Sequence, residues 1–189
     1  MALPYLVYKK AIKDDFKQLP FEKLLFLGVW CCEYMDNKYG SYLNELGHEK
    51  EHKILTDAVL FLWSVIDNPS IIEDAVIKKQ LKVLRNIDID GLDFAKPKDC
   101  GILKIMEGIE NTLTYIQKKD IEDIFACTYY PLDVLNAVMN SKLDPYTTPM
   151  KSGIDDPFFK EELDAQKKLV EYLQSNEKLT SADKHIFRD

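Results

Sequence analysis

His48-Glu49-Lys50-Glu51-His52 spells H-E-x-x-H. Side chains four residues apart share a helical face, so this spacing suits two imidazoles holding zinc while the glutamate polarises a metal-bound water. The chemistry would be that of a metal-dependent hydrolase using His48, Glu49 and His52. Read backwards, the five letters also match the inverted form, H-x-x-E-H. Three features oppose that chemistry. Gly47 leaves no preceding helical turn to hold His48, and Lys50 and Glu51 bring two further charges. A third ligand would fall to Glu73, 21 residues beyond His52, where a helix-capping role is expected. The motif is therefore read as a solvated first helical turn, with no catalytic residue, cofactor or metal expected.

Asn86-Ile87-Asp88-Ile89-Asp90-Gly91 has the opening rhythm of a calcium-binding EF-hand loop. Such a loop closes on a bidentate glutamate at position 12, which here is Pro97. An Asp-Gly turn between helices is the better reading. Its carboxylates nevertheless stand out: Asp88, Asp90, Asp93 and Asp99 fall within 12 residues beside a glycine turn. They are the candidate partner-binding set. Glu33 is a different case, because it directly follows a long apolar run. A buried carboxylate must be paired or protonated, so Glu33 is either the structural partner of a lysine, a histidine or Arg85, or a pocket carboxylate.

Net charge narrows the function classes. The formal charge is −7, and of 25 basic residues only Arg85 and Arg188 are arginine. Nucleic-acid sites lean on arginine forks and clustered positive charge, so DNA or RNA binding is not expected. An acidic surface favours a basic partner or solubility alone. Cys31, Cys32, Cys100 and Cys127 show no metal or redox spacing and are expected to be buried, reduced thiols. No glycine-rich phosphate loop or serine–histidine–aspartate order stands out. Residues 1–8 lack the basic start and small-residue cleavage site of a signal peptide, which predicts a cytoplasmic protein.

The elements that must position these groups are helical throughout. Leu24 to Cys32 is nine residues without a polar side chain. Nine residues cannot cross a bilayer, which needs about 20. A helix apolar on all sides is buried on all sides, so this one, entered through Pro20 and ended before Gly40, is the predicted centre of a bundle. Pro4 opens a preceding helix. After Gly47, Leu55, Val59, Leu62 and Ile66, sharing one face with Ala58, Phe61 and Val65, predict a third. Ser70 and Glu73 have capping-box spacing for a fourth, carried inward by Val76, Val83 and Ile87. Residues 88–99 form an acidic loop. Ile102, Met106, Ile109, Leu113 and Ile116 predict a fifth helix, and Asp120 caps a sixth that Pro131 should kink. Residues 140–156 are the longest connection. Asp156-Pro157 starts a last long helix through Phe159, Leu163, Gln166, Val170 and Leu173, and a short turn follows Ser181. The expectation is an all-α, single-domain bundle of about seven helices over residues 1–189.

The apolar run closing in Cys32-Glu33-Tyr34-Met35, followed by Tyr39, resembles a segment of the bacterial YjaG family, domain of unknown function 416. The similarity continues in the helix ending at Trp63, in the two middle helices, and from Pro157 through Glu162 and Gln166. It implies an all-helical fold of similar length and supplies no activity. Charge and missing catalytic signatures together predict a non-enzymatic protein-binding domain. Such a domain could serve as an immunity protein that neutralises a basic toxin domain.

Overall fold

Pro20 is extended (φ −68°, ψ 167°) and hands the chain straight into the buried central helix. In the computed structural model, which describes residues 4–142 and 157–188, all regular structure is helical. In order, the helices are α1 (Pro4–Lys17), α2 (Phe21–Met35), the short α3 (Tyr42–Glu45), α4 (Glu49–Asp67), α5 (Asp74–Arg85), α6 (Pro97–Lys118), α7 (Ile121–Ser141) and α8 (Lys160–Ser175). A π-helical turn, Asp36–Gly40, extends α2, and 3₁₀ turns occupy Pro69–Ile71, Pro157–Phe159 and Ser181–Asp183. Seven of these helices have twelve or more residues, so the bundle expected from periodicity is present. No described helix is long and apolar enough to cross a membrane.

Every residue from Leu24 to Glu33 is buried. That follows from α2 touching α4, α6, α7 and α8. Gly28 is what lets α6 and α7 come so close: a Cβ there would lie 2.8 Å from Ile124 Cδ1 and 3.2 Å from Thr112 Oγ1. The main core continues outward through Leu55, Leu62, Ile77, Ile102, Ile109 and Leu169. A smaller cluster of Tyr8, Leu132, Met139 and Phe159 ties α1 to α7 and the start of α8. Asp120 caps α7 by accepting from the Glu122 amide at 3.0 Å. The helix then continues through a buried Pro131. A proline removes one amide donor from the turn before it. In that turn the Thr128 carbonyl accepts from Gln166 Nε2 at 2.7 Å.

Three expectations about local structure need correcting. Ser70 and Glu73 form no capping box. Asn68 accepts from the Ser70 amide and, at 2.5 Å, from its hydroxyl, which commits Ser70 to the 3₁₀ turn; Glu73 then precedes α5 without a side-chain cap. The inward face of α5 is Ile77, Leu81 and Leu84, whereas Val83 is exposed. Packing of α5 against α6 and α4 selects that face. The acidic loop is also shorter than 88–99, because Pro97 occupies the first turn of α6, where its missing amide hydrogen costs nothing. The long 140–156 connection and the Asp156 cap lie largely outside the described residues, from 143 to 156.

Candidate functional site

The H-E-x-x-H residues do fall at the start of a helix, but they do not converge. His48 stands just before α4, with Nδ1 3.5 Å from Glu51 Oε2. His52 Nδ1 lies 3.0 Å from Asn44 Oδ1, while its Nε2 faces Gly40 and the buried Asp36. Thr56 donates to Asp36 Oδ2 at 3.1 Å, and Oδ1 is buried without a hydrogen-bond partner among the described residues. Burial pushes the Asp36 carboxyl up, with Thr56 and His52 acting against it. Among the described residues no three His, Cys, Asp or Glu side chains are grouped as a metal site requires. The four thiols are buried and free. Burial pushes Cys31 up to about 12 and Cys100 up to about 11, away from thiolate chemistry.

The acidic set divides. Asp88, Asp90 and Asp93 are exposed on the loop between α5 and α6. Asp99 is not on that surface. It is 4% exposed within the first turn of α6, and its Oδ2 accepts from the Asp93 amide at 3.1 Å. A carboxylate at a helix N-terminus is electrostatically favoured, so Asp99 closes the loop. Asp93 Oδ1 in turn accepts from the Ala95 amide. Between them the loop presents Phe94, 55% exposed.

A further convergence of polar groups lies in a groove of about 500 Å³ between α2 and α8 that includes Trp30, Tyr34, Glu33, Glu162, Lys184 and Arg188. The Arg188 guanidinium lies over Trp30, 3.4 Å from the ring centroid, and 4.1 Å from that of Tyr34. It pairs with Glu162 and donates to the Trp30 carbonyl at 3.4 Å. The Arg188 and Glu162 side chains are only 8% and 5% exposed. Glu162 is held from behind: Gln166 Nε2 donates to it at 2.6 Å, and Tyr8 donates to Gln166 Oε1 at 2.5 Å. Burial pushes the Glu162 carboxyl up, and Arg188 and Gln166 pull it part of the way back. Glu33 forms the second anchor. Trp63 Nε1 donates to its Oε2 at 2.9 Å, and Lys184 Nζ lies 3.0 Å from its Oε1.

Both readings of Glu33 thus apply at once: it pairs with a lysine and it lines a pocket. Arg85 is not its partner, being paired with Glu110 instead. The other groove residues were missed as a site. Two signals pointed to them: Gln166 is a polar residue within an otherwise apolar stripe, and Arg188 is one of only two arginines.

The fold and the groove define an all-helical bundle whose most organised polar feature is an aromatic and carboxylate cage. No family model and no curated protein matches the chain. Among solved structures, it is similar to the crystal structure of a DUF416 family protein from Shewanella baltica OS155, with a TM-score of 0.72 at 21% identity. The similarity covers 92% of this chain and 89% of that one. The fold is that of a DUF416 family protein, the family to which the Cys32-Glu33-Tyr34-Met35 segment pointed.

Proposed function

We propose that the protein is a non-enzymatic protein-binding domain that captures a basic partner through the loop between α5 and α6. The observation that carries this reading is Phe94, largely exposed among the exposed carboxylates of Asp88, Asp90 and Asp93. An exposed aromatic ring supplies the apolar anchor that dominates many interfaces, and a rim of like charge speeds the encounter with a partner of opposite sign. The separate engagement of His48 and His52, and the burial of all four thiols, favour binding over catalysis. Neutralisation of a basic toxin domain, as an immunity protein, is the specific form of this function that the acidic balance suggests.

The test replaces Asp88, Asp90 and Asp93 by asparagine while leaving Asp99 in place. Asparagine at 93 retains an acceptor for the Ala95 amide, so the loop keeps its turn. With the partner recovered by affinity capture on the unaltered protein, the triple variant should associate at least tenfold more slowly at low salt. The difference should shrink as salt shortens the Debye length from about 10 Å at 0.1 M to about 3 Å at 1 M. Phe94→Ala should instead speed dissociation. Unchanged association and dissociation in both variants would reduce the loop to a solvated connection.

A further inference from the structure

Segment 184–188 sits in the groove as a bound peptide would. Its hold on the bundle comes from side chains: Lys184 on Glu33, Trp30 Nε1 on the Ile186 carbonyl at 3.0 Å, and Arg188 in the cage. Phe187 has φ +64°, a backbone region that non-glycine residues enter only when their surroundings impose it. The receiving half is organised without the segment. Glu162 is fixed by Gln166, which is itself fixed by Tyr8 and the Thr128 carbonyl, and Glu33 is fixed by Trp63. Two carboxylates prepositioned by donors from the bundle have acceptor capacity left for cations, and a Trp face completes a guanidinium site. The present occupant fits it incompletely, since Arg188 Nε is buried with no acceptor among the described residues and open volume remains beside it.

We propose that the groove between α2 and α8 is a binding site for the guanidinium group of a ligand, a site that Arg188 fills in cis and vacates when such a ligand binds. A guanidinium gives one amino group to Glu162 and the other to the Trp30 carbonyl while lying on the Trp30 ring, a combination an ammonium cannot reproduce. Cis occupancy lowers the apparent affinity by the fraction of time the groove is open, so removing Arg188 should raise it. This inference does not depend on the loop between α5 and α6, and the loop variants leave it untouched.

Calorimetry with L-arginine, L-lysine and a peptide of the 184–188 sequence tests it on the unaltered protein and on Arg188→Ala. L-arginine or the peptide should bind Arg188→Ala at least tenfold more tightly than the unaltered protein, and L-lysine at least tenfold more weakly than L-arginine. Adding Glu162→Gln should abolish the gain. Binding of the peptide alone assigns the guanidinium to a segment of a protein ligand; binding of free arginine as well assigns a small molecule. No binding of either to a folded Arg188→Ala overturns the proposal. Should that variant not fold, amide exchange in the unaltered protein decides. Saturating L-arginine should speed exchange at Ile186 while L-lysine does not, and identical exchange with both overturns it.

Discussion

Arg85 and Arg188 are the chain's only arginines; Arg85 of α5 is paired with Glu110 of α6, and Arg188, beyond the last helix, with Glu162 of α8. Arg85 lies on the bundle surface, where its side chain is 57% exposed and that of Glu110 is 38% exposed. Arg188 is stacked on two rings, and its glutamate is held by a buried chain of hydrogen bonds reaching back to Tyr8. In water the two long side chains of a surface pair gain little from meeting, because screening and lost rotamer freedom offset the attraction. In the groove the same charges are desolvated. Their pairing is strong only because Gln166 and the aromatic faces fix the geometry. The difference teaches that a charged pair becomes a recognition element through what stands behind it. The H-E-x-x-H turn makes the same point from the other side, since its histidines have ideal spacing and no shared target.

Removing the ring under Arg188 should have the largest effect. Trp30→Ala should cost about 3–5 kcal/mol in urea unfolding, as truncation of a buried tryptophan does. Gln166→Ala comes next, at about 1–3 kcal/mol, because it strips a partner from the buried Tyr8 hydroxyl and from Glu162. A loss below about 0.5 kcal/mol would mean that Glu162 needs no support from behind.

Asp36 sharpens the comparison as a buried carboxylate to which no cation among the described residues is bonded. Burial raises its folded-state pKa above the ordinary 3.8, so the proton is held more tightly in the folded protein than in the unfolded one. Its stabilising contribution is therefore complete below about pH 3.8 and is lost as pH rises through the folded-state pKa. Asp36→Asn should match the unaltered protein in stability at pH 3.5 and gain on it by pH 7. Urea unfolding at the two pH values checks this. A gain that shrinks with rising pH would show that His52 and Thr56 outweigh burial.

The fold was legible in the sequence where packing alone decides it. Leu24 to Cys32 has no polar side chain to turn outward, so its burial followed from the letters. Asp120 was legible too, since a cap is a local bond. The inward face of α5 was not, because tertiary packing on α6 and α4 chooses Ile77, Leu81 and Leu84 over the stripe of Val76 and Val83. The burial of Asp99 is not legible either, because a proline after an Asp-Gly turn fits a loop as well as a first helical turn, and here Pro97 opens α6. The groove was the least legible part. Trp30, Glu162 and Arg188 are brought together by three separate segments, and no local spacing encodes that meeting. Only Glu33 stood out, as a carboxylate next to an apolar run.

The measurement that decides most directly is a pair of double-mutant cycles, one on Glu162 and Arg188 and one on Glu110 and Arg85, each with alanine replacements and urea unfolding. The groove pair should show a coupling of at least about 1.5 kcal/mol, and the surface pair no more than about 0.5 kcal/mol. Equal couplings would contradict the claim that the cage, and not the mere pairing of charges, makes the α2–α8 groove a recognition site.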